Sequence, residues 1–168
     1  MAYLLDSNVF IEAKNRYYGI DFCPAFWDWL VKQNANGSVC SIEKVGDELT
    51  AGNDALADWA KSRGDTFFLP PDEKVLQALT TVSDWVKGRQ YHQHAVASFL
   101  QDADYYLIAH ALAYKHTVVT HEVAVNKPNK VKIPEVCIGL KVKPRSLWQV
   151  LRAEGRSSSW EKQYRLKP

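Results

Sequence analysis

The chain has 168 residues, is 46% hydrophobic with six tryptophans, and carries 21 basic against 19 acidic side chains, a net charge of +2. A chain of this length buries about 70% of its unfolded surface, which supplies one core but hardly two, and its apolar content excludes a disordered protein. No run approaches about 18 apolar residues and the first residues lack the basic and apolar regions of a signal peptide, so a membrane span is excluded and a cytoplasmic protein is expected.

Tyr3, Leu4 and Leu5 form an apolar run that reads as a buried strand and stops at Asp6. Ser7 or Asn8 can cap a following helix whose apolar face begins with Val9 and Phe10. A carboxylate is thereby placed at the C-terminal end of a parallel strand, where open α/β sheets keep their ligand sites. Taken alone, Asp6 is explained equally well as a helix cap. Pro24 opens a helix with Phe26, Trp27, Leu30 and Val31 inward. After a turn at residues 34–37, residues 38–41 read as a short strand that runs into a helix over 42–52, with Glu48 about two turns in. Asn53 caps another helix carrying Leu56, Trp59 and Ala60. Beyond Pro70 and Pro71 a third places Val75, Leu79, Val82 and Val86 on one stripe. Their helical spacing assigns these aromatics to the core rather than to nucleobase stacking.

Residues 87–94 read as an exposed connection, and His92 and His94 within it as a solvated pair rather than metal ligands. Asp104 opens an amphipathic helix: Leu107, Ile108, Ala111 and Leu112 follow at i+3, i+4, i+7 and i+8, which puts Asp104 on the buried face. Residues 116–122 form another apolar strand that ends at Glu122. Cys23, Cys40 and Cys137 are odd in number and lack metal-site spacing, so they read as reduced and mostly buried.

Two strand-end acids and two acids on adjoining helices can converge on one edge of a sheet. Four packed carboxylates could not all stay ionised without a counter-charge. Mg²⁺ or Mn²⁺ is the economical one, because both prefer oxygen ligands and keep waters that can be aimed at phosphorus. Singly, Glu48, Asp104 and Glu122 are explained as solvated ends of helices or strands; jointly their placement favours a site.

The ordered set of Leu5 to Val9, Glu48 with Leu49 and Gly52, Asp104 to Ala109, and Val118 to Glu122 resembles the PIN domains, metal-dependent nucleases that include the VapC-type toxins of bacterial toxin-antitoxin pairs. The resemblance covers most of residues 1–122. It implies an α/β fold, a single PIN-like domain with a central, mostly parallel sheet flanked by helices. It further implies that Asp6, Glu48, Asp104 and Glu122 form an acidic quartet holding Mg²⁺ or Mn²⁺. The last position is commonly Asp in the family and is Glu here, with Glu43 and Asp102 as nearby alternatives. Residues 133–137 and 147–151 resemble a bacterial branch of PIN-like proteins that has a longer C-terminus than typical VapC toxins. The nuclease domain is thus expected over residues 1–152, followed by a basic C-terminal tail over 153–168.

The net charge conceals an asymmetry. Residues 1–122 carry 10 basic and 16 acidic side chains, whereas residues 123–168 carry 11 and 3. Such a basic segment suits a polyanion or an acidic partner. Lys127, Lys130 and Lys132 follow Glu122 and are expected to bind RNA phosphates beside the metal. The reading is hydrolysis of an RNA phosphodiester by metal-activated water, with one ion held by Asp6 and Asp104 and room for a second near Glu48 and Glu122. RNA as substrate, a cognate antitoxin and a homodimer are implied by the resemblance alone. Two other readings stand: a non-catalytic PIN-like module that binds RNA or protein, and a phosphatase or phosphotransferase using Asp6 as nucleophile. The second is disfavoured because Asn8 stands where the haloacid-dehalogenase pattern expects an acid.

Overall fold

The computed structural model describes residues 1–157. Among them, five strands form one fully parallel sheet in the order β3-β2-β1-β4-β5, where β1 is Tyr3–Leu5, β2 Val39–Ile42, β3 Phe68–Leu69, β4 Thr117–Val119 and β5 Lys143–Arg145. The central strands are short but buried on both faces, as parallel sheets sandwiched by helices require: Leu4, Leu5, Val39, Ile42, Val118 and Val119 are all nearly inaccessible. Chain order runs outward from β1 in both directions. The order therefore reverses between β1 and β4, and a ligand crevice is expected at the C-terminal ends of those two strands.

Helices connect the strands. β1 leads into α1 (Ser7–Glu12), which continues as a π-helical turn, Ala13–Tyr17; α2 is Pro24–Ala35, α3 Glu43–Thr50, α4 Ala55–Lys61, α5 Glu73–Lys87, α6 Gln93–Phe99, α7 Ala103–Tyr114, α8 Ile133–Gly139 and α9 Leu147–Ser157. Phe10 fixes α1 under the site. Its ring lies 5.8 Å from Trp59, 6.1 Å from Phe67 and 6.3 Å from Phe68, and Trp27 meets Trp59 edge-on at 5.0 Å. The aromatics thus serve the core, as their spacing predicts.

Local differences from the sequence reading have local causes. Asp54, not Asn53, caps α4, accepting the Ala57 amide at 3.0 Å. Val31 turns outward, 37% exposed, because α2 buries the narrower stripe of Phe26, Trp27 and Leu30. Asp72 caps α5 through Val75, directly after the two prolines. His94 lies within α6 rather than in a connecting loop, and both His92 and His94 are exposed. Cys40 and Cys137 are buried, Cys23 is partly so, and all three are free thiols. α9 runs through the boundary expected at residue 152, while the rest of the expected tail, residues 158–168, lies outside the described residues. Among the described residues no helix is long and apolar enough to cross a membrane.

Candidate acidic site at the sheet edge

Asp6 leaves β1 where the ladder still holds it, its amide donating to the Val119 carbonyl at 2.9 Å. It occupies the N-cap position of α1 but makes no side-chain capping bond. Instead its carboxylate accepts the Thr120 hydroxyl at 2.8 Å and the Ser7 hydroxyl at 3.3 Å, at 1% exposure. Burial raises its pKa and the charge of Glu122 adds to that, against the lowering effect of Thr120. Asp6 thus stands at the cap of α1, where the Asn8 amide also acts on it, but its side-chain bonds to Thr120 and Ser7 and its near-complete burial go beyond what capping requires.

Asp104 stands at the second position of α7, half-buried beside that carboxylate. Burial, then the charges of Asp6, Glu122, Asp102 and Glu48, push its carboxyl up to about 8. Three acids far apart in sequence, together with the neighbouring Asp102, thus act on one carboxyl at the C-terminal ends of β1 and β4. Glu48 is at the open rim on α3. Its pKa is raised by partial burial and by Asp6 and Asp102, while the Ser7 hydroxyl and Lys44 oppose the rise. Asp102, the N-cap residue of α7, is exposed at the same rim.

Glu43 begins α3 and does not figure among the charges acting on Asp6, Glu48 or Asp104. Five helical residues rotate about 500°, so Glu43 and Glu48 diverge by roughly 140°. Glu48→Gln is accordingly expected to weaken binding of Mn²⁺, read by calorimetry, and Glu43→Gln to leave it unchanged. The reverse result would move the register of α3.

Glu122 is placed differently from the other acids. One oxygen is ion-paired with Lys132 and the other accepts the Ile133 amide at 2.9 Å, at the start of α8. Its own amide donates at 3.0 Å to the Thr120 hydroxyl that in turn donates to Asp6. Thr120 is therefore a hub joining the two strand-end acids, a residue the sequence reading did not single out. The only available signal was a hydroxyl two residues before Glu122.

The three lysines expected to hold RNA separate. Lys132 is engaged with the acids: burial works against its charge, yet Glu122 and Asp104 hold its pKa above the ordinary lysine value, and its side chain is only 17% exposed. An ammonium committed to those carboxylates is not free for a phosphate. Lys127 and Lys130 are exposed, and Lys130 shares a small cavity of about 180 Å³ with Asp102. The loop bearing them is tied down by Glu135, which accepts the Val125 amide at 2.8 Å and the Asn126 amide at 2.6 Å.

The donor set is all oxygen, matching Mg²⁺ or Mn²⁺. As the side chains stand, no three His, Cys, Asp or Glu groups among the described residues are arranged to hold one metal ion. Mg²⁺ commonly takes one or two carboxylates and keeps its waters, so Asp6 and Asp104 are the residues that would hold it while Glu122 stays with Lys132.

Residues 3–158 match the family described as Domain of unknown function (DUF4411). No curated protein matches the sequence. Among solved structures, the fold is similar to a chain in the crystal structure of VapBC2 from Rickettsia felis bound to a DNA fragment from their promoter, with a TM-score of 0.51 and 15% identity over 87% of this chain and 98% of that one. At that identity the likeness shows the fold, which is PIN-like.

Proposed function

The chain belongs to the DUF4411 family, and from that premise and the acid-lined crevice we propose that it is a metal-dependent endoribonuclease, the toxin of a toxin-antitoxin pair. The observation that carries the reading is the placement of Asp6, Asp104, Glu48 and Glu122 together at the strand-order reversal, with Thr120 bridging Asp6 and Glu122; the raised Asp104 carboxyl agrees with it. Packing these acids together costs stability, and acids perturbed in this way concentrate at sites that bind a cation or move a proton. The likeness to a VapBC2 chain supports a toxin and a protein partner.

Asp6 and Asp104 would hold Mg²⁺ or Mn²⁺, with Glu48 at the rim in reach of a second ion or of its waters. The bound cation would supply an ionisable water and offset charge on the phosphodiester. Thr120 and Ser7 fix the Asp6 carboxylate, so that its oxygens enter the crevice in one orientation. Lys127 and Lys130 would meet the RNA backbone where the strand leaves the acids.

A second reading, a non-catalytic PIN-like module for RNA or protein, is favoured by one observation: Lys132 already neutralises Glu122. Melting curves with and without Mn²⁺ separate the two. Binding to the folded state must raise the melting temperature, and the rise should be lost in Asp104→Asn. No rise in the wild type would favour the non-catalytic module.

A further inference from the structure

Opposite the acids, at the N-terminal ends of β1, β4 and β5, lies a cavity of about 440 Å³. Ala111, Leu112 and Val142 wall it, and Lys115, Lys141 and Lys143 stand exposed around it. Among the described residues none of the three lysines is paired with a carboxylate. Lys141 and Lys143, two of the eleven basic residues of the C-terminal segment, thus lie away from the acids beside which the sequence suggested that segment would act, and Lys115 joins them from the end of α7.

Each lysine has a local explanation, and the explanations fall short together. Lys115 and Lys141 follow the C-termini of α7 and α8, where positive charge complements the helix dipole, and Lys143 lies on an edge strand, where lysine discourages pairing with other chains. None of this accounts for the backbone. Lys115 has φ 56° and Lys141 φ 59°, left-handed conformations that glycine or asparagine ordinarily supplies at helix ends. At two separate helix ends a strained lysine stands where an unstrained residue would serve, and both line the same cavity. His116 adds a donor: its Nδ1 accepts the Ala2 amide at 3.1 Å, which leaves the proton of the neutral ring on Nε2.

We propose that this cavity is a second binding site, for a small phosphate monoester with an apolar body, of the size of a nucleoside 5′-monophosphate. The volume falls within the range of about 300–1,000 Å³ usual for small-molecule sites, and an apolar wall ringed by point charges suits a flat base carrying a dianionic phosphate. The strand length, three residues at about 3.3 Å each, separates this end of the sheet from the acids by roughly 10 Å. The proposal does not depend on the nuclease reading.

The test is calorimetric titration of adenosine 5′-monophosphate at low salt, with inorganic phosphate and a single-stranded RNA oligonucleotide as comparisons. Wild type should bind the nucleotide more tightly than phosphate. Lys115→Gly with Lys141→Gly should weaken it at least roughly ten-fold, the equivalent of one lost charge-assisted bond. Glycine also relieves the left-handed strain, so the double variant should melt no lower than wild type; a purely structural role for the lysines predicts no change in nucleotide affinity. Asp104→Asn should bind the nucleotide normally. The proposal is overturned if wild type does not bind the nucleotide, if the glycine variant binds it unchanged, if phosphate binds as tightly, if only the oligonucleotide binds, or if Asp104→Asn abolishes binding and so places the ligand at the acids.

Discussion

Asp104→Asn is expected to stabilise the metal-free protein at pH 8.5 and to have almost no effect at pH 4. The carboxyl titrates at about 8 in the fold, against an ordinary value of 3.8. A raised acid pKa means that the folded state holds a proton the unfolded state has released. Stability is therefore full below about pH 4, falls as pH rises between the two values, and is lowest above about 8. At about 1.4 kcal/mol per unit the span corresponds to roughly 4 kcal/mol after allowance for residual exposure, which asparagine would recover. Urea unfolding at the two pH values checks it. Equal stabilities at pH 8.5 would mean that neither burial nor the neighbouring acids raise the Asp104 carboxyl. With Mn²⁺ the order should invert, because the wild type gains ligand binding that the variant has lost.

Lys132→Met should do the opposite. Both side chains of the Glu122–Lys132 pair are largely buried, and removing one partner leaves an uncompensated carboxylate, a loss of about 2–4 kcal/mol. Lys132→Met with Glu122→Gln should recover most of it, since a neutral amide can still accept the Ile133 amide that Glu122 binds now. The metal response is the informative readout. Without Lys132 the cluster has one fewer positive charge and Glu122 is released toward Asp104, so Mn²⁺ should bind more tightly to the single variant than to wild type. Weaker binding would show that Lys132 supports the metal site rather than competing with the ion. In the resting protein Lys132 would then be the internal counter-cation of the four acids.

Asp6 and Asp104 were legible in the sequence because each marks an abrupt change of pattern: an apolar run that stops at an acid, and an acid followed by a 3.6-residue apolar stripe. The parallel sheet followed from the same signals. β3, with two residues, and β5, with an exposed lysine and arginine around Pro144, offered too little alternation to read. α6 has no side-chain cap to announce it. The role of Lys132 was hidden for a different reason. It lies ten residues beyond Glu122, and only the return of the intervening loop across the end of β4 turns its ammonium back onto that acid. In sequence the basic run looked uniform; in the fold Lys127 and Lys130 face solvent while Lys132 points into the cluster.

The most direct measurement is cleavage of end-labelled cellular RNA by wild type, Asp6→Asn and Asp104→Asn, each with Mg²⁺, with Mn²⁺ and with a chelator. Metal-dependent fragments from wild type, absent with chelator and reduced at least about a hundred-fold in both folded variants, are the predicted result. RNA left intact by wild type in either metal, or cut equally by the variants, would contradict the assignment of the acidic crevice as a nuclease centre.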